Sequence, residues 1–501
     1  SSKGLSGLYL SRKGRGTMPP ESDYRAADDG LRHRVPANSP SDMSATEETV
    51  APNKFTWQEV AAHNSRKSAW VIIGDKVYDI TRWLDNHPGG SEVVLLMAGR
   101  DATDAFASYH PFTDKPRKML SKFEIGTVLS REFTPYKPDD AGFYKEMCER
   151  VGKYFKDNNL DPKGAWPGIW RMVLVFSCAM LTFLATNGFW PSVPLYVRFV
   201  TAALFGCLQA LPLLHVMHDS SHTAFGRTQT WHALGGRLFM DFYAGANLTS
   251  WHYQHVVGHH VYTNVFGADP DLPMHLEGDP RRLVDRQKNS SVYKYQHIYL
   301  PPLYGILGLK FRVEDITGTF FGKENGPVRV NPITLYRWTE MWASKAFWAT
   351  WRIAVPFMFF EGVNRPLTFL ALFLVTEWMT GYYLAFNFQV SHVSTECDYP
   401  LGAEAKDMIE DSWAVSQVKS CVDYAHTSTM TTFLSGALNY QVTHHLFPGV
   451  SQYHYPAIAP IIKEVCKEHD VNYIHLDTFG QAFYAHVAHL RNMGRQVSYR
   501  S

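Results

Sequence analysis

His255-Val256-Val257-Gly258-His259-His260 places three imidazoles in six residues. Two other stretches match it in kind: His218-Asp219-Ser220-Ser221-His222 and Gln441-Val442-Thr443-His444-His445. On a helix, residues four apart share a face, so His218 and His222 point the same way, as do His255 and His259. His444 and His445 diverge by about a third of a turn, so such a pair can serve two adjacent metals. Each cluster lies at the water end of an apolar stretch or in the loop beyond it. Holding more than one metal ion is the use that fits this pattern. Imidazole suits iron, zinc and copper alike, so spacing alone does not choose the metal.

Working outward, four apolar stretches flank the clusters, at 169–190, 193–216, 346–363 and 367–387. Each is near the ~20 residues that cross a bilayer. The links between the first two and between the last two carry almost no Lys or Arg. The long loop 218–345 carries many, including Arg281, Arg282, Arg286, Lys288 and Arg312. The positive-inside rule then predicts that this loop, both termini and all three clusters face the cytosol. Ile298 to Leu309 is too short to span and suits the membrane interface.

Composition agrees. Charged residues are 19% and aromatics 14% of the 501 residues, and the net charge of +1 offers no basic field for nucleic acid. Mean hydropathy of -0.22 requires large water-exposed parts beside the apolar spans. The six cysteines include no CxxC pair, which suits reduced thiols and a cytosolic catalytic mass.

The expected organisation is a disordered or targeting tail over 1–53, a compact domain over 54–130 and a linker with an amphipathic helix over 131–165. A membrane domain over 166–492 and a tail over 493–501 complete it. In the compact domain Thr56 and Glu59 form a capping-box pattern. Ala69 to Ile80 alternates around Gly74-Asp75 as a hairpin does. His87-Pro88-Gly89-Gly90 sets an imidazole before a tight turn, and His110 follows after Asp101-Ala102-Thr103-Asp104-Ala105-Phe106. Two imidazoles from opposite walls would fill both axial positions of a haem iron. Such a haem carries electrons and does not activate oxygen. Electrons delivered to a nitrogen-rich site argue for oxygen activation by iron.

Residues 54–128, from Phe55-Thr56-Trp57 to Ile125-Gly126-Thr127-Val128, resemble cytochrome b5, which implies a haem b on His87 and His110. The three-box layout resembles the membrane fatty acyl desaturases. The fused haem domain and Gln441 in place of the first histidine of box three narrow this to front-end desaturases. The segments Gly267-Ala268-Asp269-Pro270-Asp271, Arg329-Val330-Asn331-Pro332-Ile333 and Val450-Ser451-Gln452-Tyr453-His454-Tyr455-Pro456 are closest to delta-5 enzymes of polyunsaturated chains.

The resemblance implies an α+β cytochrome b5-like haem domain followed by an all-α, four-span membrane desaturase domain with a cytosolic helical cap. It implies two Fe ions on His218, His222, His255, His259, His260, His392, His444 and His445. Gln441 occupies a family ligand position, binding directly or through water. Related enzymes have Asn four residues before the histidine after the fourth span; here that position is Phe388, with Gln389 beside it as a candidate substitute. Asp219, Asp269 and Asp271 are carboxylates that could orient ring N–H groups; Asp269 and Asp271 could equally cap a helix or sit in solvent. His215, His232, His252, His275 and His454 lie off the pattern and read as ordinary interfacial residues.

The implied reaction takes O2 as co-substrate and electrons from NADH-cytochrome b5 reductase through the haem, and sets a cis double bond in a C20 polyunsaturated acyl chain. The walls of the substrate tunnel are expected from spans two and four. Membrane lipids are the implied surroundings, in the endoplasmic reticulum, with a plastid as the alternative. Front-end enzymes of delta-6, delta-4 or delta-8 sphingolipid regiochemistry share these features, as does an acyl hydroxylase. A membrane haem carrier would not need boxes two and three. A metal transporter would put its ionisable residues inside the spans.

Overall fold

The computed structural model describes residues 53–495 apart from 165, 362–363 and 401–407. The expected N-terminal tail therefore lies outside the described residues. Residues 54–128 form a small mixed sheet ordered Lys54–Phe55, Glu124–Val128, Lys76–Asp79, Ser68–Ile73, Asn64–Ser65, with Arg100–Asp101 pairing alongside Ser68–Ile73. The hairpin turns at Gly74-Asp75 as its alternation predicts. Thr56 and Glu59 make both hydrogen bonds of a capping box on the helix Trp57–Ala61. Short helices Ser91–Met97, Thr103–Tyr109 and Lys115–Leu120 follow, and His87 and His110 come together.

Three helices are long and apolar enough to cross a membrane: Trp166–Thr186, Leu195–Ser221 and Arg365–His392. At about 1.5 Å per residue, the shortest, 21 residues, already reaches the ~30 Å of a bilayer core. Each exposes an apolar stripe at helical spacing: Trp170, Leu174 and Leu181; Tyr196, Val200 and Leu204; Leu367, Leu370 and Leu374. The second and third helices approach closely at Gly206, where an added Cβ would lie 2.6 Å from both Met379 Cβ and Thr376 O. Thr380 Oγ1 donates to Gly206 O across the same contact (2.9 Å), a small-residue seam with a polar tie.

The stretch expected as a span over 346–363 is built differently. It is the back half of a helix running Leu335–Ala349, Thr350–Ala354 and Val355–Phe359, with a π-helical turn in the middle. Its charges turn inward. Lys345 pairs with Asp315 (2.8 Å), and buried Arg352 pairs with Glu377 of the third apolar helix (2.9 Å). These charges interrupt the apolar run, so the membrane-length helices number three among the described residues.

The rest is a helical cap. Phe143–Asp157 is the amphipathic helix expected after the linker, and it buries Phe143, Met147, Val151 and Phe155 in one core with Ile458, Ile462 and Val465 of the helix Tyr455–Glu468. The last helix runs Phe479–Arg495, past the boundary expected at 492. The segment 298–309 folds as short helices, and Gly305 lies where a side chain would strike Trp378. All six cysteines are free.

Residues 54–130 pack directly on the helical part. Asn331 donates to Leu95 O (2.7 Å) and Ala98 O (3.0 Å) and accepts from Arg100 Nη2 (2.8 Å). Arg337 pairs with Glu92 at 2.8 Å. Arg329 binds Glu132, at the start of the linker, through Nε and Nη2.

Candidate metal centre

The first box sits where the second apolar helix passes through a π-turn, Leu213–Met217, and continues as His218–Ser221. Buried Asp219 does not touch a histidine. It accepts from Ser451 Oγ (3.0 Å) and from the backbone and side chain of Gln452 (3.2 and 3.0 Å). It thus ties this helix to the 450–456 stretch.

The second box departs from α spacing. Residues His252–His259 form a π-helix, and the His260 N–H donates to His255 O at 3.0 Å, five residues back. In this geometry i and i+5, not i and i+4, close the turn. His255 and His259 remain neighbours with nearly parallel rings 5.6 Å apart. Their nitrogens nevertheless join different groups, while His255 Nε2 lies 3.2 Å from His260 Nε2. Gly258 permits the turn: a Cβ there would lie 2.7 Å from Pro270.

The third box is the buried helix Gln441–Leu446. Its first turn is anchored by the fully buried Asp423, which accepts from Val442 N at 2.8 Å. His444 and His445 leave this helix in different directions, as consecutive positions should.

All nine expected positions converge. His218, His222, His255 and His444 offer nitrogens within 4.8 Å of one another, as do His259, His392 and His445; His260 groups with His444 and His445. The Nε2 atoms of His218 and His255 are 3.1 Å apart, and those of His259 and His392 are 3.4 Å apart. Neighbouring ligands on one ion with metal–nitrogen bonds of about 2.0–2.1 Å stand about that far from each other. Gln441 Nε2 lies 2.8 Å from His392 Nε2, and its Oε1 is buried without a partner.

Five outward nitrogens are hydrogen-bonded, whereas His260 Nδ1 and several inward nitrogens are buried with no partner among the described residues. Nδ1–H of His259 faces Asp269 (3.1 and 3.2 Å), with Asp271 at 3.5 Å. His392 donates to Ser420 O (3.2 Å), His445 to Gln417 Oε1 (2.8 Å), His444 to Tyr455 Oη (3.1 Å) and His222 to Tyr109 Oη (2.8 Å). The Nε2 atoms of His222, His444 and His445 are buried with no partner among the described residues. Orphaned nitrogens inside two adjoining histidine groups, with tautomers set from behind, fit metal ions. Burial, reinforced by neighbouring imidazoles, holds His222, His255, His260, His444 and His445 far below the ordinary imidazole value, hence neutral and able to donate a lone pair. His259 goes the other way: burial opposes its charge, but Asp269 and Asp271 outweigh burial and raise it.

Asp269 orients the His259 ring and caps no helix: its other bonds, from Asn264 N (2.8 Å) and Asp271 N (2.9 Å), hold the turn that carries it. Tyr109, Gln417, Ser420 and Tyr455 were not singled out for this role by their sequence setting. Tyr455 at least lies inside the quoted 450–456 stretch. The off-pattern His215, His232 and His454 bond backbone carbonyls of Phe433, Gly226 and Asp161, outside the clusters.

A narrow, largely apolar cavity reaches His218 of the first histidine group. Leu213, Leu214 and Met217 wall it beside His218, and Leu384 and Phe388 wall it from the third apolar helix. Gln209 and Thr380, hydrogen-bonded to each other, also line it. Phe388 thus faces the cavity.

In the small domain the rings of His87 and His110 face each other, centroids 6.1 Å apart and planes at 86°. Two imidazoles bound at about 2 Å on opposite sides of one iron need about that separation. His110 donates from Nδ1 to Phe106 O (2.8 Å), leaving Nε2 for the metal. Burial holds His87 down at about 4 and lowers His110. The turn after His87 needs glycine at Gly90, where φ is +91° and the Gln229 side chain would lie 2.5 Å from a Cβ.

Residues 191–477 match the family model "Fatty acid desaturase", and residues 56–129 match "Cytochrome b5-like Heme/Steroid binding domain". The chain is 40% identical to "Acyl-lipid (8-3)-desaturase B" of Dictyostelium discoideum over 89% of its own length and 95% of that protein's. It is 39% identical to "Delta(5) fatty acid desaturase A" of the same organism, over 90% and 96%. With "Acyl-lipid (8-3)-desaturase" of Mortierella alpina it shares 41% identity over 88% and 97%.

Proposed function

The chain belongs to the fatty acid desaturases, membrane oxidoreductases of lipid metabolism, and carries a cytochrome b5 domain; from that premise we propose a front-end, delta-5 desaturase of C20 polyunsaturated acyl chains. The observation that carries the reading is the convergence of nine buried donors from four separate elements at the end of an apolar cavity. The delta-5 assignment draws on the names of the relatives.

His218, His222, His255 and His444 would hold one iron, and His259, His392, His445 and Gln441 the other, with His260 between them. Turning the Gln441 amide over puts Oε1 where Nε2 now stands, in direct ligand position. Two irons held there supply activation of O2 and removal of two hydrogens from adjacent carbons. The protein's part is positioning and exclusion of water. Leu213, Met217 and Leu384 offer only apolar contact, so the chain would be registered by its length and docked head group rather than by polar contacts at the reacting carbons. His87 and His110 would hold a haem b, reduced by NADH-cytochrome b5 reductase. We place the catalytic face and both termini in the cytosol, the protein in the endoplasmic reticulum, and a fourth crossing over the apolar stretch at 346–363.

The test is expression in a yeast without polyunsaturates, fed C20 acids whose first double bond is at carbon 8. A new bond at carbon 5, located by mass spectrometry and lost in His259→Ala, is the expected result. Conversion only of an 18- or 22-carbon acid or a long-chain base would overturn the regiochemistry; a hydroxylated product would overturn the desaturation.

A further inference from the structure

His222 Nδ1 lies 2.8 Å from the hydroxyl of Tyr109, and their rings are nearly parallel, 6.4 Å apart. Tyr109 is the residue before His110 and closes the helix Thr103–Tyr109. Among the described residues, this is the only hydrogen bond joining residues 54–130 to a clustered histidine. The backbone around it is held: Lys163 donates to Thr223 O (2.7 Å) and Oγ1 (3.1 Å), and Gly449 packs between Tyr109 and His222.

We infer that Tyr109 is the contact through which electrons cross from the haem domain to the metal pair, along His110, Tyr109 and His222. This rests on the assignment of His110 to haem and His222 to iron. Each crossing moves one electron: haem iron(II) becomes iron(III), an iron(III) on His222 becomes iron(II), and O2 is the final oxidant. No bond forms or breaks, and Tyr109 keeps its proton. Because Tyr109 would act through two ligands, it is a positioning residue. Its ring fills the gap between the domains, and its oxygen accepts the His222 Nδ1–H.

The experiment uses full-length protein in lipid nanodiscs, with haem reduced anaerobically and then mixed with O2 and acyl substrate while haem absorbance is followed. Tyr109→Phe keeps the ring and removes the hydrogen bond. The expected result is haem reoxidation slowed several-fold per bound iron, with haem spectrum and midpoint potential unchanged. Tyr109→Leu, which also removes the ring, should be slower still. An unchanged reoxidation rate at unchanged iron content would overturn the proposal. So would lower iron content with an unchanged rate per iron, since Tyr109 would then only orient His222. If wild-type haem reoxidises equally fast with and without iron, the reading beneath the proposal fails, and the proposal with it.

Discussion

Both carboxylate oxygens of Asp269 face the Nδ1 of His259, at 3.1 and 3.2 Å, in a site where each residue is almost wholly buried. A carboxylate in that place raises the basicity of the opposite nitrogen. Asp269→Asn keeps the volume and removes the charge. Iron content and desaturation should both fall, activity by roughly 10–100-fold, as measured by metal analysis and product yield.

The same pair makes metal binding proton-linked. With Asp269 and Asp271 raising it, His259 holds a proton at neutral pH in the metal-free protein, and a ligand must give that proton up. Affinity at this half of the centre should rise with pH through and above neutrality. Calorimetry of iron(II) binding at pH 7.5 in buffers of different ionisation heat should show about one proton more released by the wild type than by Asp269→Asn.

Removal of haem should separate the two centres. His87→Ala deletes one of the paired rings 6.1 Å apart. The Soret band should be lost, iron at the histidine centre retained, and turnover abolished even with excess reductase. Product formation at the wild-type rate would show that electrons reach the centre by another route.

Gly308 lines the apolar cavity, and a Cβ there meets nothing closer than Glu377 Oε2 at 3.8 Å. Gly308→Leu should fill the cavity without straining its wall, and a helix gains up to about 1 kcal/mol when such a glycine is replaced. Thermal stability, haem and iron should hold or improve while conversion of C20 chains drops. Product profiles across chain lengths check this.

Asn331 satisfies three partners across the seam between the domains. Asn331→Leu removes all three bonds; Arg100 Nη2 keeps Arg329 O and Leu95 O keeps the Ala98 N–H, so the cost falls on Ala98 O, at about 1–3 kcal/mol if it stays buried. Haem reduction by the reductase should proceed normally while reoxidation slows, and limited proteolysis should cut sooner between residues 128 and 143.

Much of this was legible before any coordinates. The pairing of His218 with His222 needs only the α period, the split of His444 from His445 only consecutive positions, and the hairpin at Gly74 only its alternation. The missing parts have physical reasons. The π-turn through 252–259 changes which residues stack, and no local pattern announces it. Arg352 breaks a hydropathy run because its partner, Glu377, is 25 residues away on another helix. Tyr109 and Gln417 reach their histidines over 113 and 28 residues, and such contacts leave no periodic trace.

The seam through Asn331, Arg329 and Arg337 also bears on kinetics. A separate carrier must find its acceptor by diffusion, at a rate set by protein concentration and weakened by salt. On the electron path proposed above, donor and acceptor share one chain, so the internal hand-off should be first-order. It should be indifferent to dilution and largely to ionic strength, leaving the visit of the reductase as the only bimolecular protein encounter in the cycle.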